Sequence, residues 1–101
     1  MPWYEYLAGF FAGVFLANAV PHFVHGISGN KFPTPFAKPP GRGLSSPFVN
    51  VMWAFVNFST GFALLSVGLR QLTPFSVGLI LAGAFAIGAI LSFRFQRKLD
   101  K

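Results

Sequence analysis

Two histidines and three asparagines are spaced so that a helix would gather them. Asn18, His22 and His25 stand at i, i+4 and i+7, one stripe of a helix that continues past Pro21. Asn50, Trp53 and Asn57 stand at i, i+3 and i+7 and form a second stripe. Imidazoles ligate metals and move protons, and asparagines bond across helices or to a ligand. Histidines three apart share a metal ion on one helix face, but the usual additional carboxylate or thiolate is missing here. A haem held by two histidines needs them on different helices, hence a dimer. Neither a metal nor a cofactor is expected.

Catalysis finds little to work with. The chain has two acids, Glu5 and Asp100, and no cysteine. Asp100 stands at the far C-terminus and Glu5 at the far end of its helix from the histidines. No carboxylate is therefore expected to orient His22 or His25 within one subunit, and no serine–histidine–acid triad is expected to assemble. The glycines flanking Arg42 lack the Gly-Lys-Ser/Thr ending of a phosphate-binding loop. No catalytic residue is assigned, and the chain is not expected to be an enzyme. Without an acid deep in any apolar stretch, an ion path also lacks its usual mark.

The elements that position these residues are apolar. Residues 3–20, 47–69 and 74–95 are each long enough for a helix across a bilayer core, which takes about 20 residues. With 53% hydrophobic and 10% charged residues and a mean hydropathy of +0.58, the chain has too little polar surface for a water-soluble exterior. The expected fold is all-α: one membrane domain over residues 1–101, with helices at about 3–25, 47–69 and 74–95 and a Pro/Gly-rich loop at 26–46. Ser46-Pro47 and Thr73-Pro74 read as helix starts, a hydroxyl N-cap followed by proline in the first turn. Whether the first helix bends at Pro21 decides whether the histidine stripe is continuous.

Charge sets the expected orientation. Lys31, Lys38 and Arg42 lie on the long connection and Arg94, Arg97, Lys98 and Lys101 at the C-terminal end; the short second connection has only Arg70. Three crossings put the first two groups on one side, which the positive-inside rule makes the cytoplasm. The N-terminus is then outside and the C-terminus inside, in a cytoplasmic (inner) membrane. Ala17-Asn18-Ala19 resembles a signal-peptidase site, but no Lys or Arg precedes residue 31, and a signal peptide wants a positive start. A retained helix is expected.

In this orientation both polar stripes lie toward the cytoplasmic side. Asn50 matches the depth of His22 and Asn57 lies nearer the midplane, so the stripes are expected to face each other beneath the loop as a lid. Phe32, Phe36 and Leu44 are expected to dip from that loop toward the acyl chains. Gly9, Gly13 and Ala17 leave one face of the first helix without bulk, and Ala82 with Ala86 or Ala84 with Gly88 offers the same spacing on the third.

The seven basic residues at the loop and C-terminus are candidate contacts for anionic lipid, each worth about 1 kcal/mol near a charged leaflet. A net charge of +6 set beside apolar segments points to headgroups and not to nucleic acid. The expected partners are membrane lipids, with a second copy or a larger membrane complex against the lateral surface. The expected role is that of a small accessory or structural subunit acting through helix packing and its basic loop. The alternative is a small-ligand or lipid-headgroup binder or transporter using Asn18, His22, His25, Asn50, Trp53 and Asn57.

Overall fold

Each helix boundary has a local chemical cause. A computed structural model describes residues 2–40 and 42–99, with side chains described as far as Phe95. Helix α1 (Trp3–Ile27) runs through Pro21 without ending. The bond lost to the missing N–H is one that apolar helices tolerate when neighbours pack around the site. The helix closes two residues beyond the expected stop. Asn30 N donates to His25 O at 2.8 Å and Gly29 N to Gly26 O at 3.1 Å. This paired C-terminal motif requires a left-handed residue. Gly29, at φ 76°, supplies it.

Two short strands follow, β1 (Phe32–Pro33) and β2 (Leu44–Ser45), paired antiparallel with Phe32 opposite Ser45. The connection between them is held by its own polar groups. Thr34 and Ser45 hydroxyls bond to each other, and the Arg42 and Gly43 amides both donate to Pro39 O. The Lys38–Pro39 peptide is cis.

Helix α2 (Pro47–Gly68) begins where expected: Ser46 Oγ accepts from Val49 N at 3.2 Å. Helix α3 (Pro74–Leu99) begins with a reciprocal cap. Thr73 Oγ1 accepts from Ser76 N at 3.1 Å, and Ser76 Oγ accepts from Thr73 N at 2.9 Å. The three helices are long and apolar enough to cross a membrane. Ser66 and Ser92, exposed on α2 and α3, donate back to Ala63 and Ala89 carbonyls at 2.7 and 2.8 Å, so their hydroxyls need no outside partner.

The chain runs up, down and up, with α1 packed against both other helices, which barely touch each other. Antiparallel α2 meets α1 through glycines at both ends. A Cβ on Gly68 would lie 2.6 Å from Gly9 Cα, and one on Gly26 2.6 Å from Val51 Cγ2. Parallel α3 meets α1 where Gly13 abuts the Ile80 carbonyl and Gly83 abuts the Phe10 carbonyl. The α1 face therefore packs at Gly9 and Gly13 as expected, but the α3 face differs. Ala82 is exposed and Gly88 has open space around its Cβ position. Contact falls on Ser76, Ile80, Gly83 and Ala84, a stripe of spacing four, three and one instead of a strict four. A four-residue repeat drifts around a helix of 3.6 residues per turn, so it does not stay on one straight contact line.

Candidate functional site

Asn50 is the hub of the polar cluster. It lies in the first turn of α2, fully buried, with α1 on one side and the hairpin on the other. Its Nδ2 lies 3.0 Å from Phe32 O, 3.2 Å from Ser45 O and 3.0 Å from Ser46 O. Three carbonyls around one nitrogen fix which way the amide points, because an oxygen there would be repelled. Oδ1 must then face His22, whose Nδ1 is 2.8 Å away. The contact requires His22 Nδ1 to carry the proton and donate, so the neutral ring presents Nε2 as the unprotonated nitrogen. One side chain thus ties α1, β1, β2 and the start of α2 together.

The two stripes face each other as their spacing predicts. About two turns along α2 from Asn50, Asn18 Nδ2 donates to Asn57 Oδ1 at 3.0 Å, and Asn57 Nδ2 donates to Trp53 O at 2.8 Å. His22, Asn50 and Asn57 are buried. Trp53 belongs to the stripe only through its backbone. Its indole turns to Phe36, edge-on with ring centroids 5.1 Å apart.

His25 is set apart from His22. Its ring stacks on Phe32 at 4.3 Å with 13° between planes, and its Nδ1 lies 3.5 Å from Asn30 Nδ2. Phe32 itself is buried, with His22 edge-on at 5.4 Å and Phe95 of α3 at 5.0 Å. This corrects the expectation that Phe32 dips outward. Its ring is the apolar filling between the two histidines and α3. Phe36 and Leu44 do remain exposed, 65% and 53%.

Lys31, Lys38, Arg42 and Arg94 are exposed at the hairpin end of the molecule. The side chains of Arg97 and Lys98, and all of Lys101, lie outside the described residues. No group of three or more histidines, cysteines or acids capable of holding a metal occurs among the described residues.

Two features escape sequence reasoning. One is the capture of loop carbonyls by Asn50, which depends on a hairpin of two-residue strands that leave no periodic signal. The other is at the opposite end, where Glu5 is buried and its Oε2 lies 4.0 Å from Arg70 Nη1. Glu5 Oε1 has no hydrogen-bond partner among the described residues. A signal did exist: an up-down-up chain brings Glu5 and Arg70, the acid and the base of that end, onto the same side. With Arg70 more than half exposed, the pair is a weak tie.

Comparison of the chain with protein-family models, with curated proteins and with solved structures finds no match.

Proposed function

We propose that this chain is a three-pass subunit of the cytoplasmic membrane that works through helix packing and its basic hairpin. The observation that carries this reading is that the facing polar stripes satisfy each other. Asn18 bonds Asn57, His22 bonds Asn50, and the Asn50 amide bonds three carbonyls. Such a cluster fixes helix register and holds the hairpin in place, with little capacity left over for a solute. Outward-facing Ser66 and Ser92 bonded to their own backbone suit an exterior of acyl chains.

The charge distribution supports the orientation. Lys31, Lys38, Arg42 and Arg94 share one end with the hairpin, while Arg70 stands beside Glu5 at the other. The hairpin end faces the cytoplasm and the α2–α3 turn faces outward. Such a thin bundle leaves much of α3 uncovered, as Leu81, Phe85, Ile90 and Phe93 show. That lateral surface is where a second copy or a larger complex would pack, by close fit and not by hydrophobic burial. The chain performs no catalysis of its own.

The test compares wild type with Asn18→Ala/Asn57→Ala and His22→Ala/His25→Ala in mild detergent. Assembly state is read by light scattering, and bound chromophore or metal by absorption and elemental analysis. Altered assembly with unchanged cofactor-free spectra is the expected result. A chromophore or stoichiometric metal in wild type that the histidine variant loses would replace this reading with a cofactor protein.

A further inference from the structure

A cavity of about 420 Å³ opens beside the hairpin, and of the two polar stripes only His25 lines it. Its polar wall is His25, Asn30 and Lys31, and its apolar wall includes Phe32, Leu44 and Phe95. The volume falls in the range of small-ligand pockets, roughly 300–1,000 Å³. Three elements build it: the end of α1, the hairpin and the last described side chain of α3.

The wall chemistry selects the ligand. Lys31 brings a full positive charge and three donors, and Asn30 brings an amide. Among the described residues no carboxylate lines the cavity, and Glu5 is at the other end of the molecule beside Arg70. Among the described residues Lys31 has no ion-pair partner. A phosphate group meets these requirements. The opposite wall is aromatic and aliphatic, with Phe32 packed between the His25 ring and Phe95. A ligand carrying only charge would leave that wall unused.

We infer that this cavity holds the phosphate and glycerol of an anionic phospholipid, with Lys31 against the phosphate and the acyl chains leaving past Leu44 and Phe95. Position favours a lipid over a free metabolite. The cavity sits at the ends of two apolar helices, where headgroups meet hydrocarbon, and exposed Leu44 continues it outward. The inference rests on the chain lying in a bilayer and not on its role as a subunit.

The full chain is reconstituted in vesicles of equal phosphatidylglycerol and phosphatidylcholine, extracted, and its retained lipid counted by native mass spectrometry. Wild type is expected to keep one phosphatidylglycerol per chain in clear preference to phosphatidylcholine. Lys31→Gln should lower that retention about fivefold, the factor set by one basic contact near an anionic head. Leu44→Trp, which narrows the cavity without removing charge, should also lower it, while Lys38→Gln, outside the cavity, should lower it markedly less than Lys31→Gln does. Equal losses in Lys31→Gln and Lys38→Gln, or no lipid preference in wild type, would overturn the site. If millimolar inorganic phosphate alone displaces the lipid and binds lipid-free protein equally well, the cavity takes a free anion and the lipid assignment fails. Elution volume and circular dichroism are read on the same samples, so loss of the lipid is distinguishable from loss of assembly or fold.

Discussion

At the scale of single residues, Asn50 and Asn57 look alike in the sequence and differ in consequence. Asn57 bonds one side chain across the helices and one carbonyl of its own helix. Cross-helix polar contacts of this kind average about 0.6 kcal/mol, so Asn57→Leu is expected to cost about that much. Asn50→Leu removes the acceptor of His22 and the shared donor of loop carbonyls in a fully buried place. Groups left buried without partners cost about 1–3 kcal/mol each, so the loss should exceed that of Asn57→Leu at least twofold. Unfolding titrations in mixed detergent micelles measure both; equal losses would mean that Asn50 is not the hub. The facing of Asn18 with Asn57 and of His22 with Asn50 was legible because helical spacing is a local property. The carbonyls around Asn50 were not, because they arrive from residues 32 and 45 through a turn whose geometry no spacing encodes.

At the scale of elements, the helix starts were the most legible part. Ser46 and Thr73 cap the helices that Pro47 and Pro74 begin, since hydroxyl and proline act within one turn. Helix contact faces were half legible. Gly9 and Gly13 pack as their spacing suggests, whereas α3 uses Gly83 and leaves Gly88 open. Which small residue meets a neighbour depends on rotation about the helix axis, which composition does not set. This gives a paired prediction. Gly83→Ala places a methyl against the Phe10 carbonyl and should destabilise by about 1–3 kcal/mol. Gly88→Ala meets nothing and should stay within about 0.5 kcal/mol of wild type. Thermal unfolding in detergent distinguishes them, and matching effects would displace the α1–α3 interface.

For the whole molecule, the proposed orientation is open to direct test because the chain contains no cysteine. Lys38→Cys and Leu72→Cys place single thiols at exposed positions at opposite ends. A membrane-impermeant maleimide added to intact cells should label Leu72→Cys and spare Lys38→Cys until the membrane is opened. The reverse pattern would invert the topology and put the basic hairpin outside.

The central place of α1 also has a temporal side. It is the helix that both others grip, and it leaves the ribosome before either of them. From that moment it carries Asn18 and His22, whose partners lie on a helix still to be synthesised. Until α2 arrives, two polar side chains wait without their native mates, which in the proposed bilayer setting is a costly state. Synthesis halted between the first and second helices would therefore leave Asn18 and His22 without the two asparagines that satisfy them in the folded chain.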